Sequence, residues 1–365
     1  MKPPNDLSSG RQVRVGLVGA GGIAPEHAAA LRLLGDIDLA AVCDLQTSRA
    51  KALAGEWGIG AVYGSVPEML AREKLDVVHI LTPPQYHVDP AIECLRAGCH
   101  VYVEKPLGLT TADCRRVVDA AAETGLSAGV NQQVIWNPCV TGILDLLRTC
   151  RLGRLNHLWL CFTVTPSGLP LNDVNHFMFA APGNLIYEFA PHPFSVIRKF
   201  VGKAHALTSV ASDPAWLADG KIYYRSWQIT AVSELGTAQV SLSFGRGNRE
   251  IKLWVFGQDG SALADIQRGT LQVHENSPYP VTADFRDGLR NARRLAGQAA
   301  SQIADRNLVK LKFKPPRVTN TFYRAFREFY DALRAGRPVP EGAQSGYDVI
   351  DYCERTVRDA ILVNE

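Results

Sequence analysis

Residues 13–24 read VRVGLVGAGGIA, from Val13 to Ala24. Val13 to Val18 is a short apolar run that suits a buried strand, and it ends in glycines. Gly19-Ala20-Gly21-Gly22-Ile23-Ala24 then spells GxGxxA and opens a helical stretch over Ile23 to Leu34. A strand, a glycine turn and a helix start in that order make a weak motif specific. Gly19 allows the tight turn. Gly21 lets a pyrophosphate approach the backbone, and Ala24 lets helix and strand pack closely. The helix start offers unpaired N–H groups and the positive end of its dipole to phosphates. Asp44 closes the following strand, where a dinucleotide site places a carboxylate against the adenosine ribose hydroxyls. A carboxylate repels a 2′-phosphate, so NAD is the expected cofactor. NADP stays open because Arg49 is close in sequence. A helix-capping role for Asp44 is compatible with ribose binding.

Outward from this stretch, strand and helix signals alternate. Asp38 to Cys43 reads as a strand, Thr47 to Trp57 as a helix, Val77 to Leu81 as a strand and Pro90 to Ala97 as a helix. His100 to Val103 reads as a strand, Thr111 to Glu123 as a helix and Ser127 to Val130 as a strand. Short buried strands separated by helices predict an α/β, doubly wound parallel sheet over residues 13–133. After that the texture changes. Leu155 to Thr165, Ile222 to Val232, Gln239 to Phe244 and Ile251 to Phe256 are rich in aromatic and β-branched residues. Leu235-Gly236, Gly245-Gly247 and Asp259-Gly260 read as hairpin turns. Residues 134–365 are therefore expected to form an α/β domain with a mostly antiparallel, open-faced sheet that binds substrate and oligomerises. Its last helices are Phe322 to Ala335 and Tyr347 to Leu362.

Two further groups sit at carboxyl ends of expected parallel strands, where open α/β sheets place ligands. Thr82-Pro83-Pro84 follows the strand VVHIL, with His87 shortly after. Glu104-Lys105-Pro106 follows HVYV, and Asn131 ends the last strand of the set. The cofactor set is thus Gly19, Gly21, Gly22, Ile23, Ala24, Asp44, Arg49, Thr82, Pro83, Pro84, His87, Glu104, Lys105, Pro106 and Asn131.

With His27, these motifs resemble the glucose-fructose oxidoreductase, inositol 2-dehydrogenase and MocA family. The resemblance is specific across Val13 to Val130 and looser beyond. It implies a Rossmann domain followed by an α/β domain, tightly held NAD(H) or NADP(H), and sugar, polyol or nucleotide-sugar substrates. It also implies a homodimer or homotetramer formed through the sheet face. By this resemblance Lys105 is the catalytic lysine and its neighbourhood lies beside the nicotinamide. The family's second motif matches Leu185 to Ser195, which places His192 as the catalytic histidine and Glu188 where aspartate is usual. Ala190 replaces a glycine there and Ser195 an aspartate. Glu188 and His192 are four apart, one face of a helix. Pro191 and Pro193 resist a mid-helix position, which instead puts a helix start near Pro193 and His192 at its edge. His176 precedes the motif and joins Lys105, Glu188 and His192 as a candidate substrate contact.

The chemistry fits these residue types. A neutral histidine accepts the hydroxyl proton of a secondary alcohol, a lysine ammonium steadies the alkoxide, and a carboxylate orients the imidazole. Redox-neutral epimerisation, elimination or glycosidic cleavage through a transient keto-sugar uses the same groups. A nucleotide-binding regulator would need only the glycine loop.

The chain has 365 residues, 46% apolar and 21% charged, with net charge +3. That composition excludes a disordered, coiled-coil or disulfide-stapled protein, and the charge balance argues against nucleic acid as a partner. Eight cysteines without a CxxC pair read as buried, reduced thiols of a cytoplasmic protein. Residues 1–12 are polar and read as a flexible N-terminus without a signal peptide. No run approaches a membrane span, and no cluster has metal-ligand spacing. His157 and His274 read as sheet-surface residues. Val281 to Lys314 carries eight basic and three acidic residues. The bland reading is a solvated amphipathic helix. The sharper one has Arg286, Arg290, Arg293 and Arg294 converging on a phosphate-bearing substrate or an anionic lipid surface.

Overall fold

Six strands alternate with helices in the first part of the chain. They are β1 (Val13–Val18), β2 (Ile37–Cys43), β3 (Ala61–Tyr63), β4 (Val77–Ile80), β5 (His100–Val103) and β6 (Ala128–Val130). Between them lie α1 (Ala24–Arg32), α2 (Thr47–Trp57), α3 (Val66–Arg72), α4 (Val88–Arg96) and α5 (Thr111–Thr124). The strands form one parallel sheet in the order β3-β2-β1-β4-β5-β6. Strand order reverses between β1 and β4, the point where such sheets open a ligand crevice at their carboxyl edge. β4 and β5 are buried at every residue, as strands covered on both faces must be. The sequence reading passed over β3 and α3, which are too short to show a period.

This is a computed structural model, which describes residues 7, 11–245, 247–310 and 317–364. The side chains of residues 280, 283, 301, 302, 304–310 and 317–320 lie outside that set. Most of the expected flexible N-terminus also lies outside the described residues. So do Lys312 and Lys314 of the basic segment, with the side chains of Arg306 and Lys310.

The chain divides into two compact units, Met1–Gln133 with Pro315–Asp351, and Val134–Lys314 with Tyr352–Glu365. The segment from 315 to 351 thus corrects the expected domain limits, because it joins the first unit. The physical reason lies in one amphipathic helix of the last part of the chain, Arg317–Arg334. Its Phe322, Phe326, Phe329 and Tyr330 make one buried stripe. Tyr102 of β5 lies edge-on to Phe326 and Phe329. Gly129 of β6 leaves room for Phe329, since a Cβ there would stand 2.7 Å from the ring.

The second unit contains α6 (Pro138–Arg148), β7 (Leu155–Val164), α7 (Asn184–Phe189), α8 (Pro191–Val201) and β8 (Ala206–Trp216). It continues with β9 (Ile222–Ser233), β10 (Gly236–Phe244), β11 (Ile251–Gly257), β12 (Gly260–Asp265), β13 (Thr270–Glu275) and α9 (Pro280–Lys310). The helix that returns to the first unit is α10 (Arg317–Arg334). After it come α11 (Ala343–Arg358) and β14 (Ala360–Leu362). The strands form one sheet, β13-β12-β11-β7-β10-β9-β8-β14. Pairing is antiparallel except for β10 with β7 and β14 with β8. Two expectations are corrected here. Gly245-Gly247 is no hairpin turn, because β10 and β11 lie on opposite sides of β7. The last helix stops at Arg358, and Ala360–Leu362 adds an edge strand instead.

One face of this sheet packs Leu158, Leu160 and Phe162 of β7 toward α8. The other carries an aromatic ladder. Trp159 stacks on Trp254 with centroids 4.8 Å apart, and His157 stacks on Phe256. Trp159 and Phe256 are among the exposed large apolar side chains.

The outer edge of β13 is sealed by the polar side of α9. Gln298 accepts from Leu271 N, Asn291 both accepts from Val273 N and donates to Val273 O, and Asp287 accepts from Glu275 N. An edge strand's open backbone groups are satisfied in this way by a helix. Asp287, Asn291 and Gln298 share a helical face, so α9 turns its apolar stripe, Val281, Phe285, Leu289 and Ile303, outward.

Candidate functional site

Gly19 bends the chain at φ 102°, a conformation that suits glycine, and its N–H donates to Cys43 O. A Cβ at Gly19 would stand 2.8 Å from the Leu81 carbonyl, so the turn is pressed against the end of β4. Gly21 and Gly22 differ: nothing lies within 4 Å of a Cβ built on either. The turn is therefore closed beneath and open above, the cradle a pyrophosphate needs. Ile23 precedes α1, and Ala24 is its fully buried first residue. Asp44 ties the turn to β2. One carboxylate oxygen accepts from Ala20 N at 2.8 Å and the other from Gln46 N at 2.7 Å. A carboxylate has about four acceptor sites, so two remain for ribose hydroxyls. Arg49 is exposed in the first turn of α2.

A buried polar network lies beneath the carboxyl end of β5. Glu104 accepts from His27 Nε2 at 2.6 Å and from Asn131 Nδ2 at 2.5 Å, both on Oε1. Its Oε2 accepts from Lys105 N at 3.0 Å. His27 Nδ1 lies 2.9 Å from His79 Nδ1, and His79 Nε2 lies 2.9 Å from the Tyr330 hydroxyl. Tyr102 donates to Asn131 Oδ1 at 3.3 Å. Burial alone would push the Glu104 carboxyl up, but the hydrogen bond and charge of His27, the Asn131 donor and the charge of Lys105 outweigh it and hold it below the usual range. Burial drives the His79 imidazole well below its usual value. His79 and Tyr330 escaped the sequence reading. One sits inside an apolar strand and the other 251 residues further on, and neither position shows a motif.

His87, read as a cofactor contact, is buried and fastens two loops. Its Nδ1 lies 2.7 Å from Pro106 O and its Nε2 2.6 Å from Thr82 O. This joins the Thr82-Pro83-Pro84 loop to the Lys105-Pro106 loop, whose peptide is cis. Glu104 and Asn131, also read as cofactor residues, are members of the buried layer behind Lys105. Thr82 donates from its hydroxyl to Tyr86 O, and Pro83 stands exposed.

Two buried imidazoles carry a pH dependence. Burial lowers His79 and His87, so the folded chain takes up their protons less readily than the unfolded one. The unfolded chain protonates both below about pH 6.5, and each then costs up to ~1.4 kcal/mol per pH unit. This contribution to stability is complete above that pH and is lost as pH falls through it. Urea midpoints should therefore drop between about pH 7.5 and pH 5.5. A midpoint that stays constant or rises would contradict the neutral, buried state of these rings.

In the second unit, α7 ends and α8 begins across Ala190, with Pro191 at the first helical position. This corrects the single-helix-face reading. Glu188 lies on α7 and His192 in the first turn of α8. A proline cannot donate the bond that would continue one helix into the next. His192 is half-buried and stacks on Phe162, with centroids 6.2 Å apart. Ser195, where the family motif has aspartate, donates to His192 O at 2.7 Å and is buried. His176 caps a short turn by accepting from Met178 N. The arginine stripe of α9 meets the carboxylates of the neighbouring chain segments. Arg290 donates to Glu275 at 2.7 Å and stands 3.6 Å from Asp287, which Arg286 also approaches.

Most cysteines are buried thiols, but Cys150 is exposed and Cys161 half-buried. Among the described residues no helix is long and apolar enough to cross a membrane. No group of three or more His, Cys, Asp or Glu among them could hold a metal ion.

Residues 13–132 match the GFO/IDH/MocA oxidoreductase family, described as an NAD-binding Rossmann fold. The matched residues 13–132 carry the Rossmann domain of the Gfo/Idh/MocA oxidoreductases. Over 114 residues the chain is 38% identical to D-glucoside 3-dehydrogenase of Escherichia coli, covering 31% of this chain and 32% of that one. It is 25% identical to myo-inositol 2-dehydrogenase of Thermotoga maritima, covering 72% and 78%. The chain spans about a third to a half of the length of the first curated relatives it matches. A levoglucosan dehydrogenase solved with NADH and levoglucosan superposes with a TM-score of 0.79 at 18% identity, covering 96% of this chain and 97% of that one. The Gfo/Idh/MocA fold thus extends over both units, a parallel Rossmann sheet and a mostly antiparallel second sheet.

Proposed function

We propose that the protein oxidises a secondary hydroxyl of a sugar, polyol or nucleotide sugar and passes the hydride to NAD. The observation that carries this reading is the carboxyl edge of the parallel sheet. There the open Gly21-Gly22 cradle follows β1, the Asp44 carboxylate follows the adjacent β2, and the Lys105 loop follows β5, two strands from β1 across the switch point. Bound there, the dinucleotide supplies the hydride acceptor. Asp44 and the cradle bind and orient it. The Lys105 ammonium steadies the substrate oxygen as its proton leaves. His192 takes that proton, and Glu188 orients the imidazole. These last roles rest on the family resemblance and on relatives named as dehydrogenases of glucosides and of inositol. A homo-oligomer built through the aromatic ladder Trp159, Trp254 and Phe256 belongs to the same reading.

The test incubates the full chain and NAD with a panel of sugars, polyols and nucleotide sugars, following nicotinamide absorbance and product mass together. Reduction of NAD with a product two hydrogens lighter supports the reading. A changed product without net reduction would replace it by redox-neutral chemistry. No turnover with dinucleotide bound would leave a binding protein.

Asp44→Asn tests the choice of cofactor. The amide keeps an acceptor for one backbone N–H and removes the charge. The Kd for NAD should rise about tenfold while that for NADP stays or falls, a shift of about 1.4 kcal/mol between them. Equal weakening of both would show that Asp44 only braces the turn.

A further inference from the structure

We infer that His27, His79 and Tyr330 are positioning residues that act through Glu104, holding a buried anion at the carboxyl end of β5 that favours the oxidised, cationic nicotinamide over the reduced one. The inference rests on the cofactor reading above, and it adds an electrostatic role for a network that reading does not use.

The argument is hydrogen accounting. A carboxylate only accepts, so the hydrogen of the 2.6 Å contact lies on His27 Nε2. With neutral rings, His27 Nδ1 is then an acceptor, and His79 Nδ1 must donate to it across 2.9 Å. That leaves His79 Nε2 as the acceptor for the Tyr330 hydroxyl. With both rings neutral the assignment runs one way: Tyr330 to His79, His79 to His27, His27 to Glu104. A second chain, Tyr102 to Asn131 to Glu104, ends on the same oxygen. Lys105 N serves the other. Every donor points at Glu104, and His27, His79, Asn131 and Tyr330 have no exposed surface.

Such a chain fixes a charge rather than merely filling space. A fully paired apolar cluster would pack the same volume between β4, β5, α1 and α10. Donors converging on one carboxylate instead keep it ionised where water is excluded. In a sheet of this order the dinucleotide crosses the switch point, with its adenosine end at Asp44 on the β2 side. Its nicotinamide end then falls on the β4 and β5 side, where Glu104 and Lys105 emerge. A fixed negative charge there stabilises the cationic ring of NAD⁺ and does nothing for neutral NADH. The other groups facing the network are Lys105 and His87 toward Glu104, Glu341 toward Tyr102, and Arg334, Asp36 and Asp76 toward Tyr330.

The experiment measures Kd for NAD⁺ and for NADH by fluorescence titration of the full chain. It compares wild type, Glu104→Gln, His27→Leu and Tyr330→Phe at several values between about pH 6 and pH 9. In wild type the ratio Kd(NAD⁺)/Kd(NADH) should not change with pH. Glu104→Gln should raise it about tenfold at every pH, equivalent to about 1.4 kcal/mol. His27→Leu removes the main donor, so burial leaves Glu104 protonated at low pH. The ratio should then be raised at low pH and return to the wild-type value as pH rises and the carboxyl ionises. A purely structural role for His27 would weaken both forms equally and show no such recovery. Tyr330→Phe removes one hydroxyl and keeps the ring, so it remains informative if His27→Leu fails to fold. It should raise the ratio about twofold, with the same recovery. An unchanged ratio in folded Glu104→Gln overturns the inference, as does an unchanged ratio in Tyr330→Phe. Failure of the sugar panel with these ratios intact would instead strike the proposed substrate and leave the inference standing.

Discussion

Lys105→Ala and His192→Ala should each lower kcat by about 10²–10⁴-fold while leaving the Kd for NADH within about twofold of wild type. The reason lies in what each residue is asked to do. Lys105 stands directly after β5, with its backbone N–H held by the Glu104 carboxylate. Truncating its side chain keeps that N–H, so the loop and the glycine cradle keep their shape. His192 opens α8 and rests on Phe162, and its carbonyl, not its ring, serves Ser195. Removing the imidazole therefore takes away a proton acceptor without unpinning the helix. If both residues serve one proton and hydride transfer, the double variant should lose little more than the worse single one. Additive losses would mean that they serve different steps. Activity within a few-fold of wild type in either variant would reassign that residue to structure.

The legible part of this chain is the part that local rules control. The turn at Gly19 to Ala24 was readable because glycine, strand and helix start stand side by side in sequence. Asp44 was readable because a strand ends there. The second sheet was less so. β10 lies beside β7 rather than β11, and nothing in the turn at Gly245 to Gly247 records which neighbour a strand will choose. The basic segment is ambiguous for a related reason. Its arginines look like an anion site until Glu275, Asp287 and the open edge of β13 come alongside. Helical periodicity reports a polar and an apolar face, but not which one turns inward. In α9 the polar face seals a strand edge, because unpaired backbone groups cost more to bury than aliphatic carbons cost to expose.

The network around Glu104 marks the other boundary. His27 stands beside a family motif, whereas His79 sits inside an apolar strand with no motif around it. Only the pairing of β4 with β5 and the return of α10 make them partners. Residues that act through space leave no spacing in the sequence. They become visible when hydrogen-bond accounting has to balance.

The glycine turn yields the sharpest structural contrast, because two glycines two residues apart should fail in opposite ways. Gly21→Val should fold normally and lose dinucleotide binding by at least about 100-fold. Nothing lies within 4 Å of the added Cβ, so the free protein has no clash to relieve. The same open space is where a pyrophosphate must meet the backbone, and a branched side chain fills it. Gly19→Ala should do the reverse. Its φ of 102° is unfavourable for alanine, and its Cβ would stand 2.8 Å from the Leu81 carbonyl and 2.9 Å from Thr82 N. Backbone at the end of β4 must then move, at a cost of about 1–3 kcal/mol for the strained conformation alone. Thermal unfolding with and without NADH separates the two. Gly21→Val should keep the wild-type Tm and lose the upward shift that bound NADH gives. Gly19→Ala should start with a lowered Tm. A Gly21→Val protein that keeps both its Tm and its NADH shift would show that the phosphates do not lie over this turn, and the cradle would lose its meaning.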